Sequence, residues 1–267
     1  MATDKKVTRV TSAENTAPQR TFVPTAEAKS QAGSLRMKAV LFWIGAIVAQ
    51  ICAMVILFKK DPEIELGTGS RIWIIVFLVI DLILLIAGSS FWKKANRFDP
   101  ASKQNALKFF FRNQTGVVAA VLAFLPVVIL AIIKKEWLVT AIAALFMLGG
   151  GLASADYSPP SKEEYAAQTS EVEALTGKDF VYWTKSGTKF HLYDDCRYIN
   201  TSKTTEIFSG TVAQARELKN ITELCSACKD RVMKEKNITD EQLQEATEAA
   251  NRALDGTQPV MLPTEID

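Results

Sequence analysis

The chain has 267 residues, with 31 Lys+Arg against 29 Asp+Glu, a single His and a formal net charge of +2 at pH 7. Near neutrality speaks against a uniformly basic nucleic-acid binder, and one histidine leaves little for general-base catalysis. The average conceals a division, because residues 1–153 hold 18 basic and 9 acidic side chains whereas residues 154–267 hold 13 and 20.

Residues 1–34 are rich in Thr, Ser, Ala and Gln with few large apolar groups, which predicts a disordered cytoplasmic tail. The first apolar run begins only near Met37 and is too long for a secretory leader. Four runs follow: Met37–Phe58, Ile72–Trp92, Gly116–Ile133 and Trp137–Ala153. Each is near the ~20 residues that cross ~30 Å of hydrocarbon. None has a polar face to show to water, so the fold class expected for 35–153 is a four-helix transmembrane domain rather than a soluble bundle. Only Lys134-Lys135-Glu136 separates the last two runs, which predicts a tight helical hairpin.

Orientation follows from Lys and Arg beside the spans. The first flank holds Lys29, Arg36 and Lys38, and the stretch 93–115 holds Lys93, Lys94, Arg97, Lys103, Lys108 and Arg112. On the other side Lys59, Lys60 and Arg71 are diluted by Asp61, Glu63 and Glu65, leaving Lys134 and Lys135 in the second loop. This bias predicts a multi-pass protein of the cytoplasmic membrane with both termini inside and the lipid bilayer as its first partner. Trp43, Trp73, Trp92 and Trp137 lie at or near span ends and suit interfacial anchoring. Pro126 and Gly149-Gly150-Gly151 read as a kink and a close-packing point.

Tyr157-Ser158-Pro159-Pro160 stops the last span, and Ser161-Lys162-Glu163-Glu164 has capping-box spacing for a polar helix ending at Gly177. The acidic stretch 154–177 is expected to be a linker. From 178 to 236 a small α+β module is predicted. Phe180–Thr184 and Lys189–Tyr193 read as a hairpin around Lys185-Ser186-Gly187-Thr188, and Thr211–Gln214 opens a helix to about Lys219. In 237–267 a polar helix runs from Thr239 to Asp255 before a frayed tail.

The only histidine and three of the four cysteines gather within this module as His191-x4-Cys196 and Cys225-x2-Cys228. Four such donors complete the tetrahedron of one structural zinc ion, with no open position for a catalytic water. A small module gains folding free energy from such an ion. A redox Cys-x-x-Cys would instead stand at a helix start inside a βαβ unit, and none is read here. Thiols kept as ligands fit a reducing compartment, in agreement with the basic side facing inward. Cys52 lies alone in an apolar run and reads as a small buried hydrophobe.

The stretches "VYWTKSGTKFHLYDDCRYI" and "FSGTVAQARELKNITELCSACKD" resemble the Ada-like metal-binding module of bacterial membrane and secreted proteins, a family of unknown function. The matching residues are Tyr182 to Gly187, Phe190 to Cys196, Ser209 to Ala215 and Cys225 to Cys228, about a fifth of the chain. The resemblance implies metal ligation by His191, Cys196, Cys225 and Cys228. It names no activity, and Leu224 stands where relatives often carry Pro.

Asp81 lies at the middle of the second span, an expensive place for a carboxylate. Gln50 lies at similar depth on the first span if the two spans are antiparallel, and could hydrogen-bond it. Such a pair reads either as a helix clamp or as a proton or ion relay; the absence of Lys, Arg or His at that depth favours the clamp. No nucleophile–base pair or phosphate loop is present, and Asp194 and Asp195 read as turn caps or solvated groups. The expected function is therefore non-enzymatic: a membrane-anchored zinc module that docks a cytosolic protein. A membrane-tethered nucleic-acid binder is less favoured, since Lys178 to Lys236 holds only 11 basic against 8 acidic residues. The third reading is a small oligomeric transporter or channel built on Asp81.

Overall fold

The computed structural model describes residues 6–9, 24–60, 66–219 and 221–254. These divide into two compact units, residues 26–159 and residues 1–25 with 160–267. The first unit consists of helices α1 (Ala26–Phe58), α2 (Thr68–Phe98), α3 (Ala106–Asn113), α4 (Thr115–Ile133) and α5 (Trp137–Ser154). All but α3 are long and apolar enough to cross a membrane.

The packing of this unit is inverted relative to a water-soluble bundle. Large side chains such as Leu41, Ile83, Leu122, Leu145 and Leu148 point outward, while α1 buries Ala28, Ala32, Ala39, Ala46, Ala49 and Ala53. Small residues on the inner stripe let backbones approach, and dispersion then holds the helices together. Gly88 shows how close the approach is: a Cβ there would stand 2.6 Å from the indole Nε1 of Trp43.

Two helices exceed the predicted spans. α1 begins at Ala26, so residues 26–34 are helical rather than part of a disordered tail. Ala28 and Ala32 continue the buried stripe upstream of the apolar run, which composition alone does not reveal. α2 runs on through Lys93 and Lys94 to Phe98 and stops where Asp99 precedes Pro100, a position disfavoured for helix. The hairpin between α4 and α5 forms as expected, with Lys135 in the left-handed region at φ 56°.

Each end of the bundle is closed by one acid shared between two bases. Between α4 and α5, Glu136 receives Lys60 at 3.3 Å and Arg71 at 3.1 Å and also accepts the Leu66 backbone N–H. Burial pushes the Glu136 carboxyl up, but hydrogen bonds from Arg71, Leu66 and Lys60 outweigh it and hold the group below its ordinary value. At the other end Asp99 receives Arg36 at 3.0 Å together with Arg112. Its carboxyl is likewise lowered by the two guanidinium groups against the effect of burial. Asp61, Glu63 and Glu65, expected to dilute the basic charge of the 59–71 loop, lie outside the described residues.

The interior holds a second piece of polar accounting. Pro126 has no N–H to offer the carbonyl four residues before it, so α4 orphans the Leu122 oxygen. Gln50 of α1 fills that gap, its Nε2 donating to Leu122 O at 3.4 Å. No Gln50–Asp81 bond is formed, since both Asp81 oxygens lack a partner among the described residues.

The second unit contains strands β1 (Lys6–Arg9), β2 (Val181–Thr184), β3 (Lys189–Phe190), β4 (Glu206–Gly210) and β5 (Glu223–Leu224). Its helices are α6 (Lys162–Thr176), α7 (Val212–Lys219), α8 (Ser226–Lys236) and α9 (Asp240–Leu254). β4 lies between β2, antiparallel, and β1, parallel. A strand at 6–9 again departs from the expected disordered tail. β3 pairs with β5, and the predicted hairpin reduces to one bridge in which Tyr182 and His191 exchange backbone hydrogen bonds of 2.7 Å.

The expected linker is divided between the units. Residues to Pro159 belong with the helical bundle, and α6 is part of the second unit. Ser161 caps α6 by accepting from Glu164 N, and Gly177 ends it at φ 78°. Val172 and Leu175 of α6 join Trp183, Phe190, Ile207, Val212, Ile221 and Val232 in one core. Arg216 of α7 fixes this packing: it is 3% exposed, donates to Tyr165 O at 2.8 Å and lies 4.4 Å above the Tyr165 ring.

The Pro126 relation can be tested by a double-mutant cycle. Gln50→Leu is expected to destabilise the bundle by ~0.5–2 kcal/mol, the range for an interhelical hydrogen bond in an apolar bundle. In a Pro126→Ala background the Leu122 carbonyl regains its own helical donor, so Gln50→Leu should cost much less. Equal costs in both backgrounds, measured by denaturant unfolding in detergent, would refute the assignment.

Candidate metal centre

Four side chains from three short segments meet inside the second unit. His191 follows β3 directly, and its backbone is fixed by the two hydrogen bonds to Tyr182. Cys196 closes a turn whose carbonyl accepts Ile199 N at 2.9 Å and Asn200 N at 2.8 Å. Cys225 follows β5, gives its N–H to Phe190 O at 2.9 Å and is the N-terminal cap of α8. Cys228 lies in the first turn of that helix, its N–H on Cys225 O at 3.1 Å. The Cys-x-x-Cys pair thus straddles a helix N-terminus, where backbone N–H groups and the helix dipole favour thiolates.

All four groups are buried and their ligand atoms lie within 4.8 Å of one another. His191 Nδ1 stands 3.3 Å from Cys196 Sγ and 3.7 Å from Cys228 Sγ. Donors at ~2.0–2.3 Å from a tetrahedral ion are spaced by roughly 3.5–3.8 Å, so the observed separations suit one ion. The cluster is therefore able to hold a metal ion, with zinc among the ions its donors suit. Without an ion the site resists charge. Burial, with Lys189 nearby, pushes the His191 imidazole down to about 4. Burial, with the neighbouring cysteines, pushes the Cys228 thiol up to about 12. A dication supplies the compensating charge.

Around this cluster is a clamp that sequence reading misses. Arg231 of α8 lies 4.0 Å above the ring of Tyr193, binds Asp195 at 2.7 Å and binds Glu235 at 2.9 Å. Tyr193 in turn donates its hydroxyl to Glu235. Asp195 is thus an ion-pair partner as well as a solvated group, its side chain 57% exposed. The clamp ties the turn that carries Cys196 to the helix that carries Cys228. Its sequence signal is faint: Arg231 and Glu235 share the i,i+4 spacing of a helix pair, but Asp195 is distant in the chain. An open cleft of about 580 Å³ lies beside it, lined by Tyr193, Arg197, Arg231 and Lys234 among others.

The remaining predicted site residues lie in the first unit. Asp81 is fully buried on the inner face of α2, and neither carboxylate oxygen has a hydrogen-bond partner among the described residues. Gln50 is engaged with Leu122. Cys52 is partly exposed and free, remote from the other cysteines in sequence.

No family model matches the chain, and no curated protein and no solved structure matches it.

Arg231→Ala leaves all four donors in place but releases the Cys196 turn. Exposed ion pairs contribute about 0–1 kcal/mol each. We expect metal retention against a competing chelator to fall by roughly twofold to fivefold. Unchanged retention would show that the clamp does not hold the site.

Proposed function

We propose that this chain is a multi-pass protein of the cytoplasmic membrane whose cytosolic module carries one structural zinc ion and docks a cytosolic protein without catalysing a reaction. The observation that carries the proposal is the closed set of one imidazole and three thiols, all buried. Four protein donors satisfy a tetrahedral ion fully, whereas catalytic zinc sites keep one position open. Three soft sulfurs with one nitrogen favour zinc over the hard oxygen-seeking ions. The resemblance to the Ada-like module supports the same ligand set, and we extend that family reading to this chain on its motifs alone.

The docking face is assigned to the cleft beside the site. Arg197 lines it and carries its guanidinium 4.9 Å above the ring of its chain neighbour Tyr198, which is 59% exposed and outside the lining itself. Exposed aromatic and arginine side chains are the common anchors of protein interfaces. Nucleic acid is the weaker reading, since several of the basic groups are already engaged. Lys189 pairs with Glu223, Lys229 with Glu171 and Arg231 with two acids, while Arg216 is buried. The electrostatic footprint of phosphate binding is correspondingly small. The inward placement of the module rests on the Lys and Arg bias of the first flank and of 93–115, which supports a cytoplasmic position for both termini.

Crosslinking in intact membranes tests the proposal. Tyr198→Ala, which spares all four donors, should lose the cytosolic crosslinks of the wild-type protein, as should Cys225→Ser. Crosslinks unchanged in both variants would remove the docking role. A C-terminal reporter active only outside the cell would overturn the orientation.

A further inference from the structure

Asp81 is the one acidic or basic residue in the apolar stretches of the four long helices: none other occurs in 39–58, 72–92, 115–133 or 137–154. It stands on the buried stripe of α2 between Leu78 and Leu85, facing the helices packed against that element, α1, α4 and α5. The side chain is 0% exposed, and both its oxygens lack a partner among the described residues. Of the polar groups on those helices, Trp43 Nε1 and Ser154 Oγ have no partner among the described residues, Asp81 included, and two others are engaged elsewhere. Gln50 of α1 donates to Leu122 O, and Thr140 of α5 donates to Glu136 O at 3.0 Å. α4 as a whole carries no acidic or basic residue.

This arrangement rejects the clamp, which needs a bonding partner, and it rejects a metal cation, which needs about six oxygen donors. A bare carboxylate sealed among apolar side chains is strongly disfavoured, and a carboxyl so placed takes up a proton instead. We propose that Asp81 is a proton-binding site: the packed bundle holds it as the neutral acid, and its proton leaves only when the helices part far enough to admit water. The O–H bond then breaks, the proton passes to that water, and the carboxylate remaining is hydrated by it. Proton release is thereby coupled to opening of the bundle, the property that a proton-linked transporter or sensor requires. The inference does not depend on the docking role of the metal module.

The test is infrared spectroscopy of the full-length protein in lipid vesicles. The wild-type minus Asp81→Asn difference spectrum should show the C=O stretch of a protonated carboxylic acid at neutral pH. Asp81→Glu, measured in parallel, should shift that band rather than abolish it, which secures the assignment should the Asn variant fail to fold. At alkaline pH the band should vanish together with faster hydrogen–deuterium exchange of the α2 amides. Carboxylate bands from residue 81 at neutral pH would overturn the proposal. Loss of the acid band with no change in α2 exchange would overturn it equally, because the proton would then leave a closed bundle.

Discussion

The second unit depends on the meeting of His191, Cys196, Cys225 and Cys228. These residues flank the shortest elements of the module, β3 and β5, and also sit at the 193–196 turn and the start of α8. Strands of two residues cannot hold themselves in register. β3 and β5 pair with His191 next after one and Cys225 next after the other, and the Cys225 N–H donates to Phe190 O at 2.9 Å. The fold around the site is thicker than the sequence suggests. Trp183, Phe190 and Val172 form a true apolar core that also takes in Cys196, Cys225 and Cys228, so an ion held by the donors would add to that core rather than replace it.

The first unit obeys a different constraint. Backbone and side-chain polar groups inside an apolar bundle have no water to fall back on, so each needs a partner within the protein. Gln50 serves the carbonyl that Pro126 leaves open, and the shared acids Glu136 and Asp99 close the two ends. Satisfaction is incomplete, since Trp43 Nε1, Asn96 Oδ1 and Ser154 Oγ also lack a partner among the described residues, but of the long helices' unpartnered groups only the Asp81 carboxyl is ionisable.

Much of this was legible in the sequence where a local rule sufficed. Run length revealed the four long helices, ligand spacing revealed the cluster, and capping chemistry revealed helix starts. Thr211 and Gln214 do exchange side-chain to backbone hydrogen bonds, as do Thr239 and Gln242. Long-range arrangements were not legible. The helical turn at Ala28 and Ala32 looked like tail because its burial depends on a neighbour, and α6 looked like linker because only Tyr165, Ala166, Val172 and Leu175 are buried. Asp195 gave no sign of Arg231, and the Gln50–Leu122 contact requires knowing which carbonyl Pro126 abandons. The apparent pairing of Gln50 with Asp81 by depth failed because equal depth does not make two side chains share a face.

The central claim is that the four donors hold one zinc ion in a closed, catalytically silent tetrahedron. X-ray absorption at the zinc edge of the full-length protein, purified in detergent without added metal, addresses it directly. The account predicts one zinc per chain with a first shell of three sulfurs at ~2.3 Å and one nitrogen at ~2.0 Å. A folded protein without metal, or a zinc shell in which a water oxygen replaces a sulfur, would contradict it.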